Sequence, residues 1–354
     1  MAIEDRFFVT GGAGFIGTAL VDRLAAEFQS WTIYDNLLPQ VHGSNPVVPM
    51  GEGIEFVNGD VRDFNGLDSA IQKSSPTVVI HLAAETGTAQ SADEPELHTD
   101  VNVTGTAKLI HAMNNLAVKP RLVVLTSSRA VYGEGPWVDS AGTVKHPLGR
   151  SVTALENSVW DYPGLTALPV SAESTLPAPC NVYGATKLAQ EHLLSSWCTS
   201  HGVVLVILRL QNVYGPGQSP INPYTGVTNF FFNQSRAGKS IPVYEDGAIY
   251  RDFVLIDDVV QAITTSLKSN QSAVADVGSG TKHSIHELAS IVSKIVNGPE
   301  PIVTGQFRIG DVRHAACDMT KSEWVRDGKN PINLEAGLMR LNEWLVTQSS
   351  FKSN

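Results

Sequence analysis

The chain has 354 residues, 42% of them hydrophobic, and a formal charge of -10. That length and apolar content suit two domains, or one large domain with an elaborated cap, and exclude a disordered chain. The negative charge opposes attraction to nucleic acid or an anionic membrane, both bound largely through lysine and arginine. A small anionic ligand would instead need local arginines and helix N-termini. No apolar run approaches the roughly 20 residues of a membrane span. The start MAIEDRFFVTGG carries two acids and an arginine where a signal peptide needs a basic end and an apolar stretch, so a cytoplasmic location is expected. Cys180, Cys198 and Cys317 are scattered without CxxC spacing, which predicts reduced thiols and neither a disulfide framework nor a metal site.

In chain order, the strand RFFVT leads into a turn with Gly11, Gly14 and Gly17 and then a helix to about Phe28. The glycines allow a tight turn and close approach to a pyrophosphate, which sits at the helix N-terminus beside Phe15 and Ile16. A second strand, WTIYDN, ends in Asp35 and Asn36. A carboxylate there accepts hydrogen bonds from an adenosine ribose and repels the 2′-phosphate of NADP, so NAD is the expected cofactor. After the strand IEFV comes GDVRD, whose Asp60 and Val61 either meet the adenine or belong to a plain solvated loop.

TVVIHLAA, a helix over 96–116, RLVVLTSS, a helix over 184–200 and VVLVILRL follow. Short β-branched runs alternating with helices predict a parallel sheet covered on both faces. Past Leu210 come the turn-rich GPGQSPINPYTG, a strand RDFVLI and a helix over 257–267. Ser284 and Glu287 in SIHE form a capping box, so His283 and His286 need no metal to explain them.

The tripeptide Val-Tyr-Gly occurs three times, at Tyr132, Tyr183 and Tyr214. Only Tyr183 has a lysine four residues on, Lys187; the others have Pro136 and Gln218 there. Tyr183 opens a predicted helix, so the two side chains share a face. An ammonium at about 4 Å in an effective dielectric of about 20 contributes roughly 4 kcal/mol. That could lower a phenol from about 10 towards about 7. Such a tyrosine can serve as a general base, the plain alternative being a surface tyrosine beside a helical lysine.

TGGAGFIG, HLAA at 81–84, TSSRAVYG at 126–133 and YxxxK at 183–187, in this order, resemble the extended short-chain dehydrogenase/reductase family, specifically its nucleotide-sugar epimerases and dehydratases. The resemblance covers nearly the whole chain, with RDFVLIDDVV and RIGDVRH near its end. It implies an α/β fold: a Rossmann-type doubly wound parallel sheet with a smaller C-terminal α/β substrate-binding domain. Residues 1–208 with 252–276 would bind NAD, and 209–251 with 277–354 the nucleotide sugar.

By the same resemblance Ser128 hydrogen-bonds the reacting sugar hydroxyl, and Tyr183 and Lys187 complete the catalytic set while also touching the cofactor. Leu82, Ala83 and Ala84 line the cofactor, and Thr126 approaches its nicotinamide side. Glu85, Thr86 and Gly87 lie by the sugar, Asn212 contacts the sugar diphosphate, Arg251 and Arg308 clamp phosphates, and Tyr244 meets the base. Tyr132 and Tyr214 become packing or wall residues. Ala315 stands where some hexose 4-epimerases have a tyrosine, implying a roomier sugar pocket.

Dehydratases of the family carry Asp-Glu where this chain has Arg129 and Ala130, which disfavours dehydration. C4 epimerisation is therefore the first expectation and 4-keto reduction the second. An NAD-sensing regulator on the same fold is the non-enzymatic alternative, set back by retention of Ser128, Tyr183 and Lys187. The helices over 96–116 and 184–200 resemble a family dimer contact, implying a homodimer. An insertion at about 134–178, with Trp137 and Trp160, is expected to be a lid or subunit contact. Together with YDNLLPQVHG, ETGTAQS and NPYTG it resembles most the bacterial dTDP-L-rhamnose 4-epimerase type.

Overall fold

The computed structural model describes residues 5–28, 30–44, 46–219 and 226–348. Residues 222–225 of the NPYTG motif lie outside the described residues. Five strands, β1 (Phe7–Thr10), β2 (Trp31–Asp35), β3 (Ile54–Asn58), β4 (Val78–His81) and β5 (Leu122–Ser128), join Val204–Leu210 and Ala273–Val277 in one sheet. Its seven strands run in the order Ala273–Val277, Val204–Leu210, β5, β4, β1, β2, β3. Every pairing is parallel. Burial alternates residue by residue: Phe7, Val78, Ile80, Leu122 and Val124 enter one core, whereas Phe8, Val79, Val123 and Leu125 enter the other. This two-faced burial is why the strands read as unbroken apolar runs. It is the expected Rossmann-type fold, and its strand order reverses between β1 and β4, where ligands of such sheets bind at the carboxyl ends.

The helix expected over 96–116 is interrupted: Pro95–Thr99 and Gly105–Asn115 flank a wider π turn at Asp100–Thr104. On that turn Asn102 is buried, accepting from Glu85 N at 2.8 Å and donating to Glu85 O at 3.0 Å. Apolar periodicity carries no sign of this polar contact. The helix after the glycine turn ends at Leu24 rather than Phe28. Phe28 instead turns its ring onto Phe7, with centroids 5.0 Å apart. Helix Val182–His201 is capped by Asn181, which accepts from Gly184 N, and closed by left-handed Gly202. The Ser284–Glu287 capping box forms in both halves.

The 134–178 insertion is not an irregular loop. Trp137–Asp139 pairs antiparallel with Val144–Lys145 and Leu165–Ala167, and Val152–Glu156 adds a helical turn. Trp137 is buried, edge-on to Tyr162 at 4.9 Å, and Trp160 lies beside Phe307 at 6.3 Å. Arg150 of the insertion donates to Glu245 at 2.8 Å. Arg313 binds the same carboxylate at 3.0 Å and also Asp246 and Asp161. The insertion is thereby fastened to the C-terminal segments by buried charge. Among the described residues no helix is long and apolar enough to cross a membrane.

Candidate active site

A cavity of about 1030 Å³ opens at the carboxyl ends of β1, β4 and β5, where the sheet order reverses. Gly11 turns the chain with φ +68, and a Cβ there would lie 2.6 Å from Ala83 N. Only glycine lets the loop pass this close to the segment after β4. Gly17 lies behind the loop, where a Cβ would meet Gly12 O at 2.4 Å; it packs helix on loop and does not line the cavity. Helix Phe15–Leu24 starts at Gly14 without a side-chain cap, leaving its first N–H groups to face a ligand. Asp35 is buried, accepting from Ala13 N at 3.0 Å and Leu37 N at 2.9 Å, and it faces the same cavity.

Asn36 and Asp60 stand at the adenine end of the expected site, linked at 3.0 Å. Arg62 grips Asp60 with two nitrogens, and this hydrogen bonding, opposed by burial, holds the carboxyl down at about 2. Gly14, Phe15, Ile16, Val61, Leu82, Ala83, Ala84 and Thr126 line the wall, so the cofactor-side set converges apart from Gly17. A crowded glycine turn, an uncapped helix start and a buried carboxylate at one strand end fit a dinucleotide.

Ser128, Tyr183 and Lys187 meet at the other end of this cavity, with Glu85, Thr86, Gly87 and Asn212. Asn212 Oδ1 is buried without a partner among the described residues. Ser128 shares this wall with Tyr183, and its Oγ accepts from Ala130 N at 3.1 Å. Tyr183 is fixed through its backbone, whose N–H donates to Ser91 Oγ at 3.1 Å.

The electrostatics correct one expectation. Burial raises the Tyr183 phenol, and the groups that oppose this are Ser128 and Arg129, not Lys187. Lys187 turns along its own helix and donates to Gln190 Oε1 at 2.5 Å. Burial lowers that ammonium to about 7, against the pull of Glu191. Gln190 in turn reaches His81 Nε2 at 3.1 Å and Thr106 at 2.8 Å, and His81 Nδ1 lies 2.6 Å from Thr10. Burial, then Lys187, drives His81 down to about 3, so it stays neutral behind the site. The i, i+4 spacing gave the shared face correctly but not the desolvation of both groups.

Three expected substrate residues lie off this wall: Tyr244, Arg251 and Arg308. Arg308 stacks over the Tyr244 ring at 5.1 Å, so those two are together. Arg251 is buried, donates to Tyr250 O at 2.8 Å and is lowered to about 9 by burial and then by Arg129. Ala315 is buried in register with Arg251. Tyr132 and Tyr214 are buried away from the cavity; Tyr132 Oη donates to Asp276 at 2.8 Å. Sequence reasoning missed Arg129 as a wall residue, and it missed the Gln190–His81 pair behind Lys187. Arg129 was visible as a cation beside Ser128; the other two needed packing to meet.

Residues 7–278 match the NAD dependent epimerase/dehydratase family. A dTDP-L-rhamnose 4-epimerase of Burkholderia thailandensis is 47% identical, over 98% of this chain and 97% of that protein. A UDP-glucose 4-epimerase with UDP-glucose from Thermotoga maritima is similar in structure: TM-score 0.79, 27% identity, 96% of this chain and 98% of that one. A Thermus thermophilus UDP-glucose 4-epimerase complex with NAD gives a TM-score of 0.76 at 28% identity, covering 96% and 98%. The chain belongs to the NAD dependent epimerase/dehydratase family. It is an enzyme of the extended short-chain dehydrogenase/reductase type, and NAD is its cofactor.

Proposed function

We infer that this NAD-dependent nucleotide-sugar 4-epimerase acts on a dTDP-6-deoxyhexose, with dTDP-L-rhamnose the first substrate to test. The observation that carries the reading is that Ser128, Tyr183 and Lys187 face the same cavity as Asp35 and the glycine turn. The 47% identity to a dTDP-L-rhamnose 4-epimerase over almost the whole chain supports the sugar.

In this reading Gly11, Gly14, the start of helix Phe15–Leu24 and Asp35 hold NAD, which supplies the means to oxidise C4 and reduce it again. Asn36, Asp60, Val61, Leu82, Ala83, Ala84 and Thr126 complete its wall. Tyr183 takes the proton of the C4 hydroxyl as general base, with Ser128 orienting that hydroxyl, and later returns a proton to the same oxygen. There is no net redox change. Glu85, Thr86, Gly87 and Asn212 face the sugar and its diphosphate, while Arg251, Arg308 and Tyr244 serve the nucleotide end. Lys187, backed by Gln190, serves the cofactor side of Tyr183.

The same reading assigns 1–208 with 252–276 to NAD and the remainder to the nucleotide sugar. It also makes the protein a cytoplasmic homodimer through helices Gly105–Asn115 and Val182–His201. The free Cys180, Cys198 and Cys317 support the compartment. Sedimentation tests the dimer, and a monomer at working concentration would refute it.

The deciding experiment incubates the protein with dTDP-, UDP- and GDP-sugars without added reductant and separates the products. Formation of the C4 epimer of a dTDP-6-deoxyhexose is expected. Turnover only of 4-keto sugars with a reduced cofactor would make the protein a reductase instead. Tyr183→Phe should keep NAD binding and lose at least roughly a hundredfold in turnover.

A further inference from the structure

The chain after β2 folds back on the residue that ends it. Asp35 Oδ1 accepts from Leu37 N at 2.9 Å and Asn36 Oδ1 from Leu38 N at 3.2 Å, two side-chain turns around Leu37, which takes the left-handed conformation at φ +53. Pro39–His42 then forms one helical turn, stopped by Gly43 at φ +67 with its N–H donating to Pro39 O at 2.8 Å. Gln40 and the buried Gln90 exchange hydrogen bonds at 3.0 and 3.3 Å, which ties this turn to the segment after β4. The path returns His42 to Asp35.

His42 Nε2 stands 3.6 Å from Asp35 Oδ1, with the two side chains only 9% and 7% exposed. Both face the large cavity. The separation is too long for a hydrogen bond but within reach of an ion pair once the imidazole is charged. Each Asp35 oxygen already accepts one backbone N–H, from Ala13 and from Leu37, and keeps room for a ligand hydroxyl. A hydroxyl that donates to the carboxylate leaves its own oxygen free to accept from an imidazole N–H. The pair therefore offers an acceptor and a donor to one ribose edge.

Dinucleotide folds that accommodate a 2′-phosphate use an arginine near this position. Among the described residues no arginine or lysine pairs with Asp35, and the basic group beside it is His42. An imidazole differs from a guanidinium in changing charge between about pH 5 and 8. The other charged side chains on the cavity wall are Asp22 of helix Phe15–Leu24, Asp60 after β3, Glu85 after β4, Arg129 after β5 and Lys187 of helix Val182–His201. Asp60 is held by Arg62 at 2.8 Å, and Lys187 by Gln190. Beyond Gln90 lies Glu94, 3.1 Å from its amide.

We propose that His42 is a cofactor-selecting residue, paired with Asp35 so that the preference for NAD over NADP is strong while the imidazole is neutral and weakens once it is protonated. The imidazolium offsets the Asp35 charge that repels a 2′-phosphate; the neutral ring leaves that charge to act alone. NAD carries no such phosphate, so its own affinity depends much less on His42. This selection rests on the reading that places Asp35 at the adenosine ribose, and it is independent of which sugar is turned over.

The test is calorimetric titration of the cofactor-stripped protein with NAD and with NADP from pH 8 to pH 5. On acidification the ratio of NAD to NADP affinity should fall by roughly tenfold more in the native protein than in His42→Gln, whose amide keeps a donor without a charge. The second ionisation of the phosphate, at about 6, acts on both proteins alike and cancels in the comparison. Should His42→Gln not fold, His42→Phe takes its place. Parallel curves for the native protein and the variant overturn the proposal. Asp35→Asn, measured at pH 8, separates the two assignments: a ratio unchanged from the native one removes Asp35 from the ribose and His42 with it, whereas a lowered ratio beside parallel His42 curves removes His42 alone.

Discussion

At the dinucleotide end of the cavity the chain is held by its backbone N–H groups: Gly11 N donates to Tyr34 O at 2.8 Å, and Ala13 N donates to the Asp35 carboxylate at 3.0 Å. Where the insertion meets the C-terminal segments, parts of the chain far apart in sequence are held by buried charge, with Arg150, Glu245 and Arg313 meeting there. The first end needs neighbours, small residues and correct turn geometry. The second needs ionic partners whose mutual attraction must outweigh the loss of water around each. Disturbance should therefore be felt as cofactor affinity at one end and as stability at the other.

Glu245→Gln separates the two most sharply. It keeps shape but leaves the Arg150 and Arg313 guanidiniums buried, with side chains only 3% exposed, without their shared anion. A loss of about 3–5 kcal/mol is expected in urea unfolding, with NAD affinity little changed in the protein that remains folded. A loss below about 1 kcal/mol would reduce the network to surface-like ion pairs. Gly11→Ala should do the reverse. The left-handed backbone at φ +68 and the crowding against Ala83 impose roughly 1–3 kcal/mol of strain. NAD affinity measured by calorimetry should fall about tenfold to a hundredfold, with a smaller change in unfolding.

Lys187 lines the cavity with Tyr183, and its behaviour with pH is defined. Its folded value, about 7, lies below its ordinary 10.5 because of burial. Between those values the unfolded chain holds a proton that the folded one does not, so stability rises with pH across the window. The cost is fully present below about 7 and fades towards 10.5. Lys187→Met should consequently stabilise the cofactor-stripped protein by roughly 1–3 kcal/mol below that window, and the advantage should vanish at its alkaline end. A pH-independent difference would show that the lysine is solvated. Smallest of all, Ser284→Ala removes a capping box away from both ends and should lower the urea midpoint by about 1 kcal/mol of stability without touching NAD binding.

Much of the cofactor end was legible because its determinants are local. Gly11, Asp35, Ser128 and the Tyr183–Lys187 pair stand at the ends of strands or the start of a helix, and element ends are what apolar periodicity locates best. The insertion misled for a related reason: Trp137–Asp139, Val144–Lys145 and Leu165–Ala167 are too short to leave a periodic trace, yet they pair into a sheet. The π turn at Asp100–Thr104 was invisible because what holds Asn102 inward is the backbone of Glu85, a partner that no spacing rule supplies.

The sequence by itself determined the parallel sheet, the dinucleotide turn, the choice of NAD and the singling out of Tyr183 from three identical tripeptides, since each follows from residues adjacent in the chain. Only the tertiary structure decided which charges act on that tyrosine. Helical spacing could place Lys187 on the right face, but burial weakened its charge and Gln190 drew it away. Electrostatic strength depends on desolvation and on partners from distant segments, and neither is written in local spacing.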